Sequence, residues 1–298
     1  MRSLKALIGR NTRLFFKDKG MFFTSLITPL VLLVLYATFL AKVYRDSLLS
    51  SLPEGLTVSD ALLNGAVGGQ LISSLLAVCC VTVAFCSNLL MVQDKVTGAR
   101  RDLTMTPVKP SILSLSYFLA SAAATLLICL VALIGGLVYL AFTGWYLSFA
   151  DVLLLLCDVV LLVLFGTVLS SLIHHGLSSN GQASAVGTIV SSGYGFICGA
   201  YMPISAFGEG LQTVLSFLPG TYATSLLRNH AMRGVYSAMA EEGLPTLFID
   251  ATRDALDCNV YFFDRLVTEP IKFAVLIGTV VLLLLGYLFL LKERKRRA

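Results

Sequence analysis

The sequence predicts an all-α integral membrane protein: six transmembrane helices, an N-terminal interfacial helix, and a re-entrant helical hairpin before the last span. Three observations predict it. Of the 298 residues, 57% are hydrophobic and only 13% charged, with a mean hydropathy of +0.85, values of the bilayer class. Apolar segments of about 20 residues, enough to cross a ~30 Å hydrocarbon core, recur along the chain. Charge also segregates: 15 of the 22 Lys/Arg lie in residues 1–20, 93–110 and 292–298, whereas eight of the 17 acids lie in 201–269. Such a basic excess marks the cytoplasmic side. Both termini are therefore expected inside, and the net charge of +5 reads as an orientation signal. No nucleic-acid partner is expected.

Residues 1–20 carry six basic side chains and one acid. Leu4, Leu7, Ile8, Leu14 and Phe15 gather on one helical face, and Arg2, Arg10, Arg13 and Lys17 on the other. That is the pattern of a helix lying in the membrane interface, although a plain basic flank would satisfy the charge rule too. The first span is 21–41, with Pro29 expected to kink it. Residues 42–64, containing Pro53 and Gly55, read as a short polar connection. The second span, 65–92, opens on Gly65-Ala66-Val67-Gly68-Gly69, small residues that permit close helix contact. Residues 111–150 hold no charge and are too long for one span. Thr143-Gly144-Trp145-Tyr146 divides them, since Trp and Tyr favour the interface, so span three ends near 142 and span four covers 151–173. Span five is 182–200 and span six 273–291. Residues 201–234 are broken by Pro203, Gly208, Gly210, Pro219 and Gly220, which suits two half-helices dipping into the outer leaflet. Residues 235–269 are then external, with Phe248, Tyr261, Phe262 and Phe263 available for a small core.

The charged island 93–110 has four Lys/Arg. Within it Gly98 and Pro107 bracket two turns of helix, because proline ends a helix and pushes its predecessor out of the α region. Asp158 lies seven residues below Asp151 in span four. A carboxyl at that depth must face the bundle interior or water. Three readings stand: a hydrogen bond to a Ser, Thr or Tyr of another helix, a place on a substrate path, or a proton-coupling site. Adjacent His174 and His175 project apart and lack a third ligand, so they read as polar loop residues and no metal is expected. Gly193-Tyr194-Gly195 and Gly199 fit either a hinge or close packing. Six of seven cysteines lie in apolar runs, and only Cys258 is expected outside. The chain has no Gly-Lys dipeptide, hence no phosphate loop of the GxxxxGK[ST] type, and neither GxSxG nor HExxH. It is not expected to be an enzyme.

Asp94-Lys95, Gly98, Leu103 and Thr106-Pro107, in that spacing, resemble the cytoplasmic loop of ABC transporter type-2 permeases, with Arg100 departing from the usual apolar residue. Gly199–Ser205, Leu211-Gln212, Leu218–Tyr222 and Leu227-Arg228 resemble that family's re-entrant segment, with Gly208 where a proline is common. The resemblance implies a single permease domain over 1–298 that works as a dimer, with an identical or homologous second protomer, in the lipids of the plasma membrane. It implies two copies of a separate ATPase that bind the ATP and magnesium, this chain holding no cofactor itself. ATPase coupling would fall to Asp94, Lys95, Gly98, Arg101, Leu103, Thr106 and Pro107. Pro203, Pro219, Tyr222 and Arg228 would shape the re-entrant segment, Arg228 bracing it. The implied activity is outward movement of small amphipathic, drug-like or lipid-linked compounds. The rival expectation is a proton-coupled secondary transporter or channel using Asp158.

Overall fold

The computed structural model describes residues 2–50, 58–263 and 265–297. Its axis is α4 (Asp60–Val96), whose most apolar stretch is 94% buried. A helix so enclosed can carry polar groups if its neighbours answer them. Asn88 donates to Ser170 Oγ at 2.9 Å and Ser171 Oγ at 3.1 Å, and Ser170 donates to the Ala84 carbonyl. Around α4 stand α1 (Arg2–Lys17), α2 (Lys19–Leu35), α6 (Pro110–Thr143), α7 (Phe149–Gly176) and α8 (Asn180–Ile197). The glycine cluster does pack closely. A Cβ on Gly65 would lie 2.8 Å from the Tyr146 ring, on Gly68 2.7 Å from Leu140, and on Gly69 2.7 Å from Met232.

Turn chemistry sets the boundaries. Asp18 caps α2 by accepting from the Met21 N–H at 3.1 Å, which ends α1. α2 runs through Pro29 into a π-helical turn at Tyr36–Leu40 and on into α3 (Ala41–Ser50). Of the predicted connection 42–64, residues 42–50 and 60–64 are helical; Pro53 and Gly55 lie outside the described residues. Ser148 and Asp151 form a reciprocal capping box that starts α7 after the Gly144–Ser148 turn.

Among the described residues, five helices are long and apolar enough to cross a membrane: Lys19–Asp46, Asp60–Val96, Pro110–Thr143, Phe149–Gly176 and Glu269–Lys292. The predicted fifth span is α8, which is not one of them; Asn180, Gln182 and its serines dilute its apolar content. The chain beyond α8 also departs from two half-helices and a separate external segment. A 3₁₀ turn (Ile204–Ala206) and the seven-residue α9 (Glu209–Leu215) precede α10 (Pro219–Glu241), a 23-residue helix that runs unbroken through the expected boundary at 234. Then come α11 (Thr246–Ala255), a hairpin of β1 (Tyr261–Phe262) and β2 (Arg265–Leu266), and α12 (Glu269–Arg297). Phe248 is buried as expected, but Tyr261 and Phe263 are exposed. Cys258 is buried too, and burial pushes its thiol up to about 11.

Candidate functional site

The basic end of the bundle carries α5 (Ala99–Met105), two turns between α4 and α6. Gly98 makes the bend possible with φ of 83°, a left-handed conformation that side-chain-bearing residues avoid. Thr106 closes the helix in extended conformation before Pro107, and no residue of α5 is fully buried. Arg101, Thr106 and Pro107 are exposed, and Met105 is 73% exposed. Leu103 instead lies half-buried against the protein's own core.

Asp94 and Lys95 are not loop residues. Both belong to the last turn of α4, where each is committed to a neighbouring helix. Buried Asp94 accepts from Arg10 of α1 at 2.6 and 3.1 Å and from the Tyr117 hydroxyl of α6 at 2.5 Å. That bonding holds the Arg10 guanidinium above its usual pKa. Lys95 donates to the carbonyls of His174, His175 and Leu177 at 3.0, 2.9 and 2.7 Å. It thereby satisfies the open C-terminal end of α7 and complements its dipole. α5 is therefore anchored at its root to α1, α6 and α7. His174 and His175, expected in a polar loop, are buried in the last turn of α7, and the described residues hold no cluster fit for a metal.

Asp158 is buried and its partner is a histidine rather than a hydroxyl. His230 Nδ1 lies 2.5 Å from Asp158 Oδ2, and the opposite ring nitrogen lies 3.7 Å from Glu269. Arg233 continues outward, 2.8 Å from Glu269 and 3.5 Å from Asp151. The network ties α7, α10 and α12 together. Sequence reading missed His230; the signal was one of only three histidines, set on a segment read as broken.

Arg228 is buried on α10 and reaches back to the segment before it. It pairs with Asp257 at 3.1 Å and donates to the Gly199 carbonyl, while Asp257 accepts from the backbone N–H groups of Ile204 and Ser205. Pro219 occupies the first turn of α10, Pro203 precedes the 3₁₀ turn, and the Tyr222 hydroxyl donates to the Ser216 carbonyl at 2.5 Å. Lys272, unremarked in the sequence, is buried beside them and donates to Ser225 and to the Cys258 carbonyl.

A groove of about 1590 Å³ separates α2 and α3 from α8 and reaches α11 at the far end. Ile27, Val31 and Phe39 supply an apolar wall, and Ser184, Gly187, Thr188 and Ser192 of α8 face it. Asp158 is not among its lining residues. Gly195 is one of the close-packed glycines, since a Cβ there would overlap the Tyr201 ring.

Residues 2–231 match the family model described as ABC-2 type transporter. Among curated proteins, none matches the chain.

Proposed function

Because the chain belongs to the ABC-2 type transporter family, we propose that it is the membrane-spanning permease of an ATP-binding-cassette exporter. A separate ATPase docks on the basic, cytoplasmic end, and two permease protomers enclose the path. The groove between α2 and α8 carries this reading. A helix with hydroxyls exposed at Ser184 and Thr188 is poorly matched to acyl chains, which offer no hydrogen bonds. Facing a second protomer and a substrate path, α8 serves as the remaining span. Its span makes six, which leaves both termini on the cytoplasmic side. An apolar wall opposite hydroxyls suits an amphipathic substrate, and about 1590 Å³ has room for a drug-sized or lipid-linked molecule.

ATP-driven closure of the ATPases would move α5, and its root would pass that motion on. Arg10–Asp94–Tyr117 links it to α1 and α6, and Lys95 links it to the end of α7. The rival, proton coupling through Asp158, is disfavoured by that carboxyl's position away from the groove and its commitment to His230. The deciding experiment is purification in mild detergent, followed by transport in vesicles. Co-purification of an ATPase and vanadate-sensitive export are expected, and Gly187→Leu should reduce export by narrowing the groove. Transport driven by a pH gradient without any ATPase would overturn the proposal.

A further inference from the structure

The far end of the bundle carries an apolar cluster separate from the groove. α9 exposes Leu211 (47%) and Val214 (59%), and Phe217 (59%) follows two residues after its end. The β1–β2 hairpin meets them edge-on. Phe217 lies 5.1 Å from Phe262 and 6.0 Å from Phe263 between ring centroids, and the last two lie 4.9 Å apart. Phe263 is 68% exposed and Leu266 51% exposed. Phe263 also has φ of 45°, a left-handed backbone that bulky residues avoid. The hairpin thus accepts strain at a position whose aromatic ring stays outside the core. The rings' contacts with one another leave that exposure in place, and an apolar surrounding would compensate it.

What surrounds the cluster follows from its continuation. The chain passes from Leu266 within three residues into α12, a helix long and apolar enough to cross a membrane, with exposed Ile271, Ile277 and Leu282. α12 packs on α7 and α10, not on the α2–α8 groove, and no side chain of the cluster lines that groove. Exposed Arg265 stands beside Leu266, where its long stem can reach headgroups while the rings go deeper. We infer that the β1–β2 hairpin, with Phe217 packed against its rings, forms an interfacial wedge seated in the phospholipid leaflet at the end opposite α5. Its rings lie at the level of the glycerol backbone and upper acyl chain, where aromatic side chains collect. The wedge would hold the entry to α10, and so the Arg228 brace, at a fixed depth.

The chain's single tryptophan, Trp145, makes the depth measurable. Trp145→Phe combined with Phe263→Trp keeps an aromatic at the tip and leaves one reporter. In phosphatidylcholine vesicles with bromine near the head of the acyl chain, this reporter should lose most of its emission, and aqueous iodide should quench it little. Efficient iodide quenching without bromine quenching would overturn the wedge. Cross-linking of Phe263→Cys to its copy in a second protomer would overturn it too, by giving the cluster to a protein contact. Should the tip variant fail to fold, Phe217→Trp in the same background reads the same depth, with the same two results deciding.

Discussion

Asp158 and His230 illustrate what a buried ionisable residue costs and what compensates it. Each is almost wholly excluded from solvent, so removing either leaves the other unpaired in a medium that hydrates it poorly. Asp158→Leu and His230→Leu should each destabilise the purified protein by about 3–5 kcal/mol. The double variant should recover a large part of that loss, because no lone polar group remains. Thermal unfolding of all three in detergent tests this; a double variant as unstable as the sum of the singles would mean the pair is not a coupled unit. Asp94 follows similar logic nearer the surface. Its partner Arg10 is about a third exposed, so solvent screens that pair and its value lies more in fixing α1 than in energy.

Short elements divide their side chains between the protein and its surroundings. α5 has two large apolar side chains in its second half, and the structure gives them opposite positions. Leu103 packs on the permease core, while Met105 points outward. Docking is therefore expected to depend on Met105. Met105→Asp should weaken ATPase co-purification at least ~10-fold through lost burial and an added charge, with the melting temperature unchanged. Leu103→Asp should lower the melting temperature first and reduce docking only through it. Intact co-purification with Met105→Asp would move the contact to another part of the basic end, such as exposed Arg101 or Thr104.

The assembled bundle makes an orientation prediction. Thr97 and Ala255 are both exposed, one beside α5 and one at the end of α11. In a background lacking the exposed Cys157, a cysteine at Thr97 should react with an impermeant maleimide only after cell lysis. A cysteine at Ala255 should react in intact cells. Native Cys258 should stay silent in both, since it is buried and its thiol is held near pKa 11. Labelling of both engineered cysteines from the same side would exclude six spans, because α8 would then not cross.

Apolar character, the five membrane-length helices to within about five residues, the Gly144 turn and the two-turn helix after Gly98 were legible in the chain itself. Their causes are local: the length of an apolar run, a proline, a glycine, a capping pair. The family match was legible for a related reason, since it rests on residues at fixed spacing along one stretch of chain. What sequence could not supply is which polar groups meet. Asp94 reads as a loop residue until α1 and α6 close on it, and Asp158 has no partner within its own span because His230 stands 72 residues away. Residues 201–234 read as two half-helices because proline and glycine are common there. Yet Pro219 is at the first turn of α10, where its missing N–H costs nothing, and the helix continues past the expected boundary on buried contacts. Whether a buried charge is a site, a strut or an expense depends on the side chain brought opposite it, and only the packed helices decide that.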